Sequence, residues 1–166
     1  MAVEIRVVGA DDALMVRDLR LRGLAEDPAS FGSHLAREQE YTEERWREWV
    51  TGPNVSPLFA TFVAFVDGRP AGLVISCRDE ERPRRFHVLA MWVAPEARRR
   101  GVARGLLAEA ERWAAERGAQ SIVLGVTDAA DAAAALYAAA GYRPTGRTEP
   151  LSHMPGVTEI ELTKPL

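Results

Sequence analysis

Hydrophobic and polar positions along the chain fall into short blocks whose period switches between strand and helix. Val3 to Val8 is β-branched and closed by Gly9, which predicts a first strand. Asp11 or Asp12 can cap a helix running to about Ala25, with Leu14, Leu19 and Leu24 among its apolar positions and Asp27-Pro28 as its stop. Ala29 to Tyr41 has no period and reads as irregular. Thr42, followed by Glu43 and Glu44, opens a short helix through Trp46 and Trp49 to Val50, and Thr51-Gly-Pro-Asn breaks it.

Three strand-like runs come next with no helical stretch between them. Leu58 to Val66 is almost wholly apolar, Asp67-Gly68 is a hairpin turn, and Pro70 to Cys77 returns. A charged loop, Arg78 to Arg85, leads into Phe86 to Val93. Such an order predicts an antiparallel meander. Beyond it, Val102, Leu106, Ala110, Trp113 and Ala114 share one helical face, with Arg104, Glu111, Arg112 and Glu116 toward water and Gly118 as the stop. Ser121 to Thr127 is a buried strand that should run parallel to 86–93, because a strand–helix unit precedes it. Asp131 starts an Ala-rich helix through Leu136 and Tyr137, ended by Gly141. Strands near Tyr142–Thr148 and Thr158–Lys164 flank a final loop. The pattern is that of one mixed α/β (α+β) domain over residues 1–166, with no repeat or linker.

Composition narrows this picture by exclusion. The net charge of −3 gives no overall pull toward nucleic acid or anionic membrane. Cys77 is the only cysteine, which rules out a disulfide framework, and a buried small hydrophobe is its simplest role. His34, His87 and His153 lack metal-ligand spacing, so no metal is expected. The N-terminus has no long apolar stretch, and a soluble cytoplasmic protein is the expectation.

Against that near-neutral background, one tract breaks a local rule. Arg98-Arg99-Arg100-Gly101 precedes the helix that opens near Gly101. Arginines there oppose the positive end of the helix dipole, at roughly 0.3–1 kcal/mol each. An anion would remove the conflict, since a helix N-terminus offers free N–H groups and glycine admits a phosphate. A solvated arginine turn is the plain alternative. No Gly-x-x-x-x-Gly-Lys-Ser/Thr occurs, and Ala103 stands where a dinucleotide fold would need its second glycine.

With its flanks, the tract resembles the acetyl-CoA motif of the GNAT superfamily of N-acetyltransferases. Arg98-x-x-Gly101-x-Ala103 is similar to the family's Arg/Gln-x-x-Gly-x-Gly/Ala. Ala135-Leu136-Tyr137, three alanines and Gly141-Tyr142 resemble its second signature, with Tyr142 where Phe is usual. The resemblance covers about Leu58 to Gly146. It implies a mostly antiparallel central sheet of about six or seven strands flanked by about four helices.

The resemblance also implies roles for individual residues. By it, the backbone of Met91, Trp92 and Val93 pairs with the pantetheine arm of acetyl-CoA as an added strand; one of the first two side chains is core. The backbone of Arg99, Arg100, Gly101, Val102 and Ala103, with the Arg98 and Arg100 side chains, is implied to hold the pyrophosphate. Tyr137 is implied to be the general acid near the coenzyme sulfur, against the alternative of a packing residue. Ala130 replaces an Asn that the family often carries, which bears on coenzyme affinity.

The base is not marked. An amine of pKa near 10.4 is neutral about once in 2,500 at pH 7, a deficit of roughly 4–5 kcal/mol, so a group must take its proton. Candidates are His87, which shares a face with Leu89 and Met91 only if alternation is regular, and Glu38 and Glu40 in the irregular segment. For each, a structural or solvated role is the stronger alternative, and the two glutamates could bind the acceptor. The expected activity is direct acetyl transfer from acetyl-CoA to a primary amine of a small molecule or peptide. A non-catalytic acyl-CoA-binding domain and a protein acetyltransferase are the alternatives. The acidic N-terminal segment suits a cationic amine, and the last strands could pair across a homodimer.

Overall fold

Strand β1 (Val3–Val8) pairs antiparallel with β2 (Phe59–Val66), so the N-terminal run becomes one edge of the sheet. The computed structural model describes residues 1–166. Helix α1 (Ala13–Glu26), the single turn α2 (Leu35–Glu38) and α3 (Glu43–Thr51) lie between these two strands. Thr42 caps α3 as its sequence predicts, its hydroxyl accepting from the Arg45 N–H at 3.1 Å.

The apolar meander closes as β2, β3 (Arg69–Arg78) and β4 (Arg85–Val93), all antiparallel. Helix α4 (Val102–Glu116) crosses back to β5 (Ser121–Thr127), which runs parallel to β4. Helix α5 (Asp131–Ala139) and the strands β6 (Arg143–Pro150) and β7 (Thr158–Pro165) complete a seven-stranded sheet of order β1-β2-β3-β4-β5-β7-β6. The strand that follows α5 is therefore the outer edge, and β7 inserts between it and β5. With five helices, one of them a single turn, the architecture is the mixed, mostly antiparallel one expected.

Each sheet face buries its own core. On one side, Val102, Leu106, Ala110, Trp113 and Ala114 of α4 pack on Phe62, Val74, Phe86, Val88 and Ile122. On the other, Val16, Leu19 and Leu24 of α1 and Trp46 and Val50 of α3 pack on Val63, Leu73 and Trp92. Burying each such side chain contributes about 1.5–3 kcal/mol, which is why both helix sets dock rather than float. Leu14, counted among the apolar positions of α1, is exposed instead.

One predicted surface position is tied down. Glu111, expected to face water, accepts from the Tyr142 hydroxyl and from Lys164 Nζ, both at 2.9 Å. That bonding joins α4 to the β7 end and accounts for Tyr, not Phe, at 142. No helix is long and apolar enough to cross a membrane.

Candidate active site

β4 and β5 form a ladder only at Arg85–Ser121, Phe86–Ile122 and His87–Val123, and then part. From Val88 onward β4 is bonded to β3 alone, so its β5-facing backbone is an open sheet edge inside the molecule. A bulge accompanies the parting. Ala90 takes a left-handed φ of 56°, and the register against β3 slips between Leu73 and Ile75. The slip reverses side-chain phase: Val88, Met91 and Val93 face the α4 core, while Ala90 and Trp92 face α1. His87 therefore does not share a face with Met91, as regular alternation would have required. Trp92 is the buried member of the Met91–Trp92 pair.

The arginine tract is held from the side of α1. Asp27, just past that helix, accepts from Trp92 Nε1 at 2.7 Å and from Arg98 Nη2 at 2.6 Å. Arg98 Nε also donates to the Val93 carbonyl at 2.8 Å, and Arg22 grips Glu96 through both guanidinium nitrogens. The Arg98 side chain thus fixes the loop through Nε and Nη2, while 43% of it stays exposed.

Past this clamp the backbone reverses, with Arg99 at φ 61° and Gly101 at φ 79°. The N–H groups of Arg99 through Arg104 donate to no acceptor in the protein. A Cβ at Gly101 would meet no protein atom within 4 Å, so the loop is open there. Arg99, Arg100 and Arg104 are exposed and form no ion pair. Arg104, read from its helical position as merely solvated, joins the cradle because its N–H and side chain both lie at the helix start. Consecutive free N–H groups, an open left-handed glycine and unneutralised guanidinium groups form an anion cradle that fits a pyrophosphate.

Tyr137, on α5, is 5% exposed and lies edge-to-face with Tyr142 at 5.8 Å. Burial pushes its phenol pKa well above the usual value near 10, so it stays protonated at neutral pH. Its hydroxyl has no partner in the protein, yet it is not among the sealed-off polar atoms. It is a proton donor in search of an acceptor. Asp128, Ala130 and Asp131 follow β5 in sequence, and Asp128 accepts from the Thr158 N–H at 3.1 Å.

The candidate bases fare differently. Glu38 is 2% exposed and forms a two-pronged pair with Arg20, both bonds at 2.9 Å. His87 Nε2 is 2.7 Å from Asp79 Oδ2, which also accepts from Arg85. Burial works against the charge of Asp79. The hydrogen bonds from Arg85, His87 and the Arg82 and Glu81 N–H groups outweigh it and hold its pKa far below the carboxylate range. Glu40 is exposed and makes no side-chain bond. No group of three or more His, Cys, Asp and Glu side chains has the arrangement of a metal site.

One acidic residue carries no local sequence signal. Glu159 of β7 stands directly opposite Thr127 of β5, and its carboxyl lies over Gly125, at the β5 margin of the parting. Burial, then Glu149 and Glu161, raise its pKa above the usual glutamate value. Only the pairing register of the last strands brings it here.

The family model of the GNAT acetyltransferases matches residues 21–142, most of the chain. The chain belongs to the GNAT acetyltransferase family. A GNAT-family acetyltransferase from Streptococcus pneumoniae superposes with a TM-score of 0.80 at 19% identity, covering 99% of this chain and 100% of that one. A GCN5-related N-acetyltransferase from Kribbella flavida also gives 0.80, at 25% identity over 99% and 98%. The protein yncA from Salmonella typhimurium, solved with its cofactor acetyl-CoA, gives 0.80 at 14% identity over 100% and 95%. Nourseothricin acetyltransferase is 32% identical but covers only 66% of each chain, with a TM-score of 0.59. A comparison with curated proteins finds no match.

Proposed function

We propose that this GNAT protein is an N-acetyltransferase that moves an acetyl group from acetyl-CoA directly to a primary amine, within one catalytic unit spanning residues 1–166. The observation that carries the reading is the juxtaposition of the free N–H run Arg99–Arg104 with the unpaired edge of β4. The first suits a pyrophosphate and the second an amide-bearing arm. Met91, Trp92 and Val93 would supply backbone to that arm, although the Val93 carbonyl already accepts from Arg98. Arg99, Arg100, Gly101, Val102 and Ala103 would hold the pyrophosphate, with Arg104 added and Arg98 acting through the loop. The thioester supplies an activated acetyl group.

Tyr137 is the proposed acid, favoured by its unengaged hydroxyl; that hydroxyl also sets an enzyme above a non-catalytic binding domain. His87 and Glu38 already serve Asp79 and Arg20, so we assign them positions in the scaffold and leave Glu40 as a surface contact for the acceptor. A half-open depression of about 450 Å³ between the segment after α1 and the β6–β7 loop is of small-molecule size, which suits a small amine. β6, the free edge, carries Arg143, Pro144, Arg147, Glu149 and Pro150, residues that discourage strand addition. The proposed site is accordingly complete without the homodimer that the last strands suggested.

Gly101→Ala tests the cradle. The new methyl group strains a φ of 79° and stands in the open space assigned to the phosphate. The dissociation constant of acetyl-CoA, measured by calorimetry, should rise at least about tenfold, with Tm changed only as far as roughly 1 kcal/mol of backbone strain dictates. Unchanged affinity would leave the cradle without a role in coenzyme binding.

A further inference from the structure

The sheet face opposite α4 and α5 carries carboxylates that the fold does not neutralise. Glu149 and Glu159 are direct cross-strand partners, a like-charge pairing that costs stability. Neither forms an ion pair, and Glu161, two residues along the same face, receives only the Thr145 hydroxyl. At Gly125 a Cβ would lie 2.5 Å from Cδ and 2.6 Å from Oε1 of Glu159, so a larger residue there would displace this carboxylate. With no side chain on β5 at that point, the carboxylate lies against the parting of β4 and β5.

Independent of the acids, the strand partner of Glu159 and the chain neighbours of two lining residues hold unsatisfied polar atoms. Thr127, directly opposite Glu159 and 2% exposed, has an Oγ1 with no protein partner. Ser33 Oγ and His153 Nδ1 are likewise buried and unpartnered. Their neighbours Gly32 and Ser152 line the cavity of about 450 Å³ together with Glu149 and Glu159. The His34–His153 stack, at 5.3 Å, ties the two covering segments together above it. Buried polar atoms without partners cost about 1–3 kcal/mol each unless a ligand meets them.

We propose that this cavity takes a small amine with two cationic groups, with Glu159 receiving the reacting ammonium and its proton while Glu149 holds the second cation. The inference rests on the N-acetyltransferase reading and names its acceptor and base. The ammonium gives one proton to Glu159 and becomes a nucleophilic amine. The N–C bond forms as the C–S bond breaks. The sulfur leaves as a thiol with a proton from Tyr137, which recovers it from the second amine proton through solvent, and the proton on Glu159 passes to water.

The test compares diaminobutane, butylamine and aminobutyrate, which share a chain length and differ in their second group. With the full protein and acetyl-CoA, kcat/KM for diaminobutane should exceed that for butylamine by about tenfold and that for aminobutyrate by more. Glu159→Gln, isosteric and uncharged, should lower kcat/KM at least about a hundredfold. It should also weaken diaminobutane binding in calorimetry about tenfold and leave acetyl-CoA affinity unaltered. Glu149→Gln should shrink the diaminobutane-to-butylamine ratio.

A stability readout separates this from a scaffold role. An acid whose folded pKa is raised favours folding in its protonated form, and that contribution is lost as pH rises through the folded value. Glu159→Gln should therefore raise Tm at neutral pH, where a scaffold residue would lower it. The acid limb of the wild-type rate should sit above the ordinary glutamate range. Burial sets it first, then the charges of Glu149 and Glu161; the other titratable groups of the adjoining segments are Asp128, His34 and His153. Amines acetylated with no preference for the diamine, and with Glu159→Gln fully active, would overturn this inference and leave the N-acetyltransferase reading standing. Absence of any amine acetylation would sink that reading instead, and equal diaminobutane binding by wild type and Glu159→Gln would still overturn this one.

Discussion

Tyr137→Phe is expected to lower kcat about a hundredfold or more while leaving the acetyl-CoA dissociation constant within about twofold. The phenol ring fills a buried place against Tyr142, and phenylalanine keeps that packing. Only the hydroxyl is lost, and it has no partner in the protein, so the fold should lose almost nothing. Burial already holds the phenol protonated beyond the assay range. Its proposed function is to donate toward a departing sulfur, whose thiol pKa is near 8.5, by a strong hydrogen bond or by transfer completed late. Because the phenol does not ionise, the wild-type rate should show no alkaline fall assignable to Tyr137. Turnover by Tyr137→Phe equal to wild type, in a coenzyme-release assay at saturating amine, would return this residue to simple packing.

The second large effect concerns stability. Glu38→Ala should cost about 3–5 kcal/mol, because it strands the Arg20 guanidinium in a site where both partners are nearly inaccessible. At this chain length, the expected fall in Tm is about 6–20 °C. Arg20 lies over Phe31 at 4.7 Å and Trp49 at 5.4 Å, with Nη1 already lacking a partner. No other carboxylate is placed to replace Glu38. Changing both members, Arg20→Met with Glu38→Met, should restore most of the loss, since an apolar pair of similar volume removes the desolvation penalty. A Glu38→Ala protein that melts like wild type yet fails at the chemical step would instead make Glu38 the base.

The contrast between these two residues shows what could be read from the chain and what could not. Strands, turns and caps were legible because their causes are local. Asp67-Gly68 closes a hairpin, Thr42 caps α3, and the spacing of Val102, Leu106, Ala110 and Trp113 gives α4 its buried face. Tyr137 was legible as a position in a motif, and its free hydroxyl is a property of the fold. The fate of Glu38 depended on Arg20, eighteen positions away on another helix, and no periodicity reports such a pairing.

The same holds at the centre of the site. The bulge at Ala90 leaves no trace in composition, since alanine is a poor residue for a left-handed φ; it is held by the strands around it. It nevertheless sets which of His87, Met91 and Trp92 face one another. Arg98 reads as a phosphate ligand within its motif, and only the docking of Asp27 at the end of α1 shows that it also ties down the loop. Glu159 was silent because its importance comes from register. Inserting β7 between β5 and β6 puts it opposite Thr127 and over Gly125, a placement that no local pattern encodes.

The most direct test of the central claim is coenzyme release and amine acetylation followed together, by thiol assay and mass spectrometry, on the purified full chain with acetyl-CoA and diaminobutane. The expected result is amine-dependent release matched one-to-one by N-acetylated product, and loss of both in Tyr137→Phe with the coenzyme still bound. Tight acetyl-CoA binding with no amine-dependent release, across mono- and diamines alike, would contradict it.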